Sequence, residues 1–80
     1  MKIEILGPGC KRCQMLFDNA KQAVDELEIK GAQIEKVTDM ARIISYGVLT
    51  TPGIVIDGQL KGSGRPFSVE EVKGFIAEAL

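Results

Sequence analysis

The sequence predicts an α/β fold: a mixed four-stranded sheet flanked by three helices, in the order βαβαββα. Three observations predict it. A strand-like run, a Gly-Pro-Gly break and a long amphipathic stretch open the chain. An Asp57-Gly58 dipeptide separates two later strand-like runs, and a two-residue hairpin turn favours such a pair because both positions need positive φ. A capped amphipathic stretch closes the chain. The first strand–helix–strand unit implies a parallel pair with a right-handed crossover. The hairpin adds an antiparallel pair. At 80 residues, one domain spanning 1–80 is expected, since the chain is too short for two independent cores.

Each element has its own signal. Lys2 to Leu6 alternates weakly around β-branched Ile3 and Ile5 and reads as a strand. Gly7-Pro8-Gly9 ends it. Cys10 to Ile29 reads as a helix, with Leu16, Ala20, Ala23, Val24 and Leu27 on one apolar stripe and Gly31 as its stop. Gln33 to Val37 is a short alternating strand. Thr38 or Asp39 can cap a second, short helix with Met40, Ile43 and Ile44 inward, ended by Gly47. Ile54 to Ile56 and Gln59 to Lys61 form the hairpin, and Gly62, Gly64 and Pro66 the following loop. Ser68 with Glu71 is a capping box, and Phe67 can staple onto Val72. Val72, Phe75, Ile76 and Ala79 then face the core. Gly74 inside this helix costs about 1 kcal/mol relative to Ala, with no reason visible in the sequence.

Composition excludes several functions. Ten basic against eleven acidic residues leave a net charge of −1, without the basic excess that a general nucleic-acid binder needs. Trp is absent, and one Tyr and three Phe make a poor base-stacking platform. His is absent too, which removes Ser-His and Cys-His nucleophile pairs and His-ligated metals. No apolar run is long enough for a signal peptide or a membrane span, so the cytoplasm is the expected compartment. Lys21, Lys30, Lys36 and Lys61 read as solvated surface, and Tyr46 as an aromatic at the core edge.

The chemistry rests on Cys10-Lys11-Arg12-Cys13. Two cysteines three apart close a very small loop and staple little, so their own reactivity is the better explanation. The pair stands where a strand, a tight turn and a helix N-terminus meet. Free N–H groups and the positive helix end there favour an anion, and a thiolate is the reactive form. Lys11 and Arg12 are expected to lower the thiol pKa further. Cys13, nearly one turn on, lies on the same side and can resolve a mixed disulfide formed at exposed Cys10. Thr51-Pro52, just before the third strand, is the second signal. A proline there belongs at an edge, a bulge or a special turn, and the spacing alone leaves its peptide bond trans or cis.

The strand–turn–CxxC–helix start together with Thr51-Pro52 before a hairpin resembles the thioredoxin/glutaredoxin superfamily, in particular its small redox-active disulfide group. The likeness covers nearly the whole chain. It implies a thioredoxin-like fold and a cis Pro52 packed beside the cysteines, where its ring keeps metals off the thiols. It also implies that the Thr51 backbone pairs with an extended substrate segment. Thioredoxins proper carry a buried carboxylate six positions before the first cysteine, so the likeness gives Glu4 the task of deprotonating Cys13; otherwise Glu4 is a solvent-facing strand residue paired with a lysine. The chain departs from the parent families in two ways: its motif is neither Cys-Gly-Pro-Cys nor Cys-Pro-Tyr-Cys, and no Trp precedes Cys10. Two intervening cations should stabilise the thiolate and move the potential upward, toward a stronger oxidant than thioredoxin.

The expected function is a thiol–disulfide oxidoreductase acting on protein or small disulfides, with Cys10 as nucleophile and Cys13 as resolving thiol. No cofactor is needed, because the thiols carry the electrons. The resemblance implies a flavin-dependent, thioredoxin-reductase-like electron donor. No nucleic-acid or membrane partner is expected, and the protein should be a monomer. The alternatives are a Cu(I)-binding chaperone, which two soft thiolates would suit, and a redox-sensing module that binds without turnover. Copper chaperones have a βαββαβ order ending in a strand, whereas this chain ends in a helical pattern.

Overall fold

The computed structural model describes all of residues 1–80. Its elements are β1 (Lys2–Leu6), α1 (Lys11–Glu26), β2 (Gln33–Val37), α2 (Met40–Ser45), β3 (Gly53–Ile56), β4 (Gln59–Ser63) and α3 (Val69–Ala79). The sheet order is β2-β1-β3-β4, with β1 parallel to β2 and both other pairs antiparallel. This is the expected βαβαββα arrangement, and it ends in a helix.

Strands β1 and β3 are central and covered on both faces. Ile3 and Ile5 face a large core made with α1 and α3, where Leu16, Ala20, Val72 and Ile76 are fully buried. Leu6 and Val55 face the opposite side and pack with Val37, Ile43 and Val48. Coverage on both faces explains why β1 alternates only weakly in sequence.

Helix α1 ends earlier than its apolar stripe suggests. The Ile29 N–H donates to the Val24 carbonyl and the Glu28 N–H to that of Asp25, with Glu28 left-handed at φ +52. This is a Schellman ending three residues before Gly31. Ile29 then packs against the core as the residue beyond the cap, and Leu27 is exposed.

Helix α2 is capped by Asp39, whose side chain accepts from the Ala41 N–H. Only Ile43 of its expected inward set is buried; Met40 and Ile44 are exposed. A helix of six residues meets the sheet along a single line. That line runs through Ile43 to Tyr46, with Arg42 beside it, and so turns residues 40 and 44 outward.

The hairpin turn is as expected, with Asp57 at φ +49 and Gly58 at +84. Strand β4 runs on through Gly62 to Ser63, past the expected loop start, with a bulge opposite Ile54 and Val55. The Phe67 ring lies on Gly62, so a side chain there would meet it at 2.6 Å. The α3 capping box is formed in full, and Phe67 and Val72 share one apolar cluster. Open space surrounds Gly74, and nothing in the structure explains it.

Candidate active site

Strand β1 delivers the turn that carries the cysteines. The Gly7 N–H donates to the Val37 carbonyl at 2.9 Å, one rung beyond the β1–β2 pairing. Gly9 has φ +96, a conformation that favours glycine. Cys10 then caps α1 with extended backbone, and its Sγ accepts from the Cys13 N–H at 3.3 Å. Cys13 points back toward the sheet and is 5% exposed, whereas Cys10 is open to solvent. Both are free thiols, with their Sγ atoms 2.7 Å apart. A disulfide can close here with little backbone movement.

Gly7 is a site residue that sequence reasoning assigned only to a chain break. A Cβ at Gly7 would stand 2.2 Å from Cys13 Sγ. The missing side chain is the space that the second sulfur occupies. The available signal is two glycines within the three residues before a cysteine at a helix start.

The two sulfurs have opposite electrostatic environments. Cys10 is lowered from the ordinary thiol value by hydrogen bonds from the Cys13 side chain and backbone N–H, assisted by the Arg12 N–H. Cys13 is raised, first by burial and then by its hydrogen bond to Cys10. The exposed sulfur is therefore the readier thiolate, and the buried one keeps its proton.

The lowering of Cys10 comes from hydrogen bonds, to which Arg12 contributes its backbone N–H. The Arg12 guanidinium donates to the Gly64 carbonyl at 2.7 Å. Lys11 projects from the same turn, exposed.

The Thr51–Pro52 peptide bond is cis, and Pro52 is fully buried. Thr51 flanks the same Gly7 that accommodates Cys13, its Cβ 3.8 Å from where a Gly7 Cβ would stand. The Pro52 carbonyl accepts from the Gly64 N–H at 2.8 Å. Gly64 thus joins Pro52 to Arg12, and three segments distant in sequence meet beside the thiols.

Glu4 does not join them. Residues 3, 5 and 7 of the strand face α1 and Cys13, and alternation turns Glu4 to the other face of the sheet. Its side chain is 4% exposed and lies against α2. It accepts from Arg42 Nη2 at 2.7 Å and from the Tyr46 hydroxyl at 2.9 Å. Both expectations for Glu4 are corrected: it is not positioned to deprotonate Cys13, and it is not a solvent-facing partner of a lysine. It is a buried carboxylate that ties α2 to β1.

Comparison with known proteins agrees with this geometry. Residues 1–77 match the family model described as a thioredoxin domain. A thioredoxin of Methanothermobacter thermautotrophicus is 47% identical over 77 residues, covering 96% of this chain and 99% of that protein. A thioredoxin of Methanocaldococcus jannaschii is 44% identical over 71 residues, covering 89% of this chain and 80% of that one. The chain belongs to the thioredoxin family and is a thiol–disulfide oxidoreductase.

Proposed function

We propose that residues 1–80 act as a single domain in which Cys10 is the attacking thiolate and Cys13 the resolving thiol. The observation that carries these roles is an exposed, pKa-lowered Cys10 Sγ set 2.7 Å from a buried, pKa-raised Cys13 Sγ. Cys10 attacks one sulfur of a substrate disulfide. The other substrate sulfur leaves as a thiolate and takes up a proton. Cys13 then loses its proton and attacks Cys10 Sγ, and the second substrate sulfur leaves as a thiol. Two electrons pass from protein to substrate, and the protein is left with a Cys10–Cys13 disulfide. A reductase-type donor returns the electrons. A flavin-dependent enzyme is our reading of that donor, and the cytoplasm our reading of the compartment. We also read the protein as a monomer. Thr51 and Pro52 form the substrate-binding edge, with the Thr51 backbone pairing to the segment that carries the disulfide. Their support is position: Thr51 flanks the glycine that accommodates Cys13.

The test is to mix Cys13→Ser with a protein disulfide and identify the adduct by mass. A stable mixed disulfide on Cys10 is expected, and Cys10→Ser should form none. An adduct that discharges as fast in Cys13→Ser as in wild type would overturn the assignment.

A further inference from the structure

The net charge of −1 conceals an uneven distribution. Of ten Lys and Arg residues, five are ion-paired: Lys2, Arg42, Lys61, Arg65 and Lys73. The other five are Lys11, Arg12, Lys21, Lys30 and Lys36. Three of these lie on segments that carry or line the thiol site. Lys11 and Arg12 stand between the cysteines in sequence, and Lys36, on β2, lines the cleft beside Cys13, Gly7 and Gly9. Their contacts leave the charge uncancelled. Arg12 bonds a neutral carbonyl, and Lys36 donates to the Gln14 side-chain oxygen at 2.6 Å while standing 4.7 Å over the Phe17 ring. Lys21 extends the same track, 6.0 Å from that ring. Carboxylates near this track are Asp39, which caps α2, Asp18, which accepts from Gln14, and Asp25, which lines the groove with Phe17 and Lys21; none of them forms an ion pair with Lys11, Arg12 or Lys36.

Fold stability does not account for these cations. A helix start favours acidic side chains. Helix α3 follows that rule with Glu70 and Glu71 in its first turn. Helix α1 has no acidic residue there and places Lys11 and Arg12 in that turn instead. A local rule broken next to reactive groups points to function.

Building on the oxidoreductase reading, we propose that Lys11, Arg12 and Lys36 form a docking rim for acidic protein disulfides, segments with Asp or Glu beside the scissile cysteines. The rim raises the encounter rate and orients the segment before Cys10 attacks. Lys30, in the turn beyond the opposite end of α1, takes no part.

The test uses two synthetic disulfide peptides that differ only in their flanking residues, Glu in one and Lys in the other. The oxidation rate of reduced protein is measured with each, normalised to each peptide's rate with dithiothreitol. Acidic flanks make a cysteine a poorer leaving group, so normalisation removes a bias against the proposal. At about 10 mM salt the Glu peptide should react about tenfold faster. At about 1 M salt, where screening acts within about 3 Å, the difference should collapse. Lys36→Gln and Arg12→Gln should each lower the Glu-to-Lys ratio, and Lys30→Gln should leave it unchanged. Equal normalised rates at low salt, or a ratio that ignores Lys36 and Arg12, would overturn the docking rim. Failure of both peptides and of neutral bis(2-hydroxyethyl) disulfide would overturn the oxidoreductase reading itself.

Discussion

The Glu4–Arg42 ion pair predicts an asymmetry between its two ends. Glu4 is 4% exposed and Arg42 54% exposed across the same 2.7 Å contact. Arg42→Met keeps the aliphatic stem and removes the charge, leaving a buried carboxylate with only the Tyr46 hydroxyl. Stripping the partner from a buried charge costs about 3–5 kcal/mol, and the remaining hydrogen bond places this case near about 3. Glu4→Gln is isosteric and still accepts from Tyr46. Its orphan is Arg42, which is half in water and hydrates freely, so the cost falls to about 1 kcal/mol. For a domain this small, melting should drop by about 12–24 °C in Arg42→Met and by about 4–8 °C in Glu4→Gln. Thermal melts followed by far-UV circular dichroism measure the temperature shifts, and urea melts the free-energy changes. Equal losses, or a larger loss in Glu4→Gln, would refute the argument from burial. Because Glu4 faces away from Cys13, Glu4→Gln should also leave the rate of Cys13 attack on a mixed disulfide unchanged.

Three further outcomes follow from single positions. Gly7→Ala puts a methyl 2.2 Å from Cys13 Sγ, so closure of the Cys10–Cys13 disulfide should slow by at least about tenfold in a stopped-flow assay; an unchanged rate would mean that the strand end yields. Glu71 is held down from the ordinary 4.5 to about 2, first by Arg65 and then by the Ser68 N–H. A carboxylate lowered in the fold contributes stability above its unfolded pKa and loses it as pH falls through the folded value. Between about pH 4.5 and pH 2, stability should therefore decline less steeply in Glu71→Gln than in wild type. Gly74→Ala fills open space on a helix face and should raise stability by about 1 kcal/mol in the same urea melts.

Much of this molecule was legible because local rules and the global fold agree. The Asp57-Gly58 turn, the Ser68 capping box and the bounds of β2 each follow from a few adjacent residues. The cysteine pair was legible because its spacing and its place at a helix start carry the chemistry. What was hidden depends on residues far apart in sequence. Glu4 alternates in a strand buried on both faces, so the sequence could not say which side it serves. Its partners, Arg42 and Tyr46, lie 38 and 42 positions away. The guanidinium of Arg12 is held by the Gly64 carbonyl, 52 positions on, a contact no local pattern announces. The buried face of α2 is not legible because six residues give too few turns for a periodicity to locate it. The end of α1 is hidden because Glu28 takes the left-handed cap position that favours glycine.

The most direct test of the account is the equilibrium of the cysteine pair itself. Metal-free protein is equilibrated in graded thiol–disulfide buffers, and the thiols are trapped by alkylation and counted by mass. A reversible two-electron transition is expected between about −180 and about −280 mV, where working dithiols fall. Both thiols should disappear together, with no dimer and no adduct persisting. Failure to form the Cys10–Cys13 disulfide reversibly would contradict the dithiol mechanism.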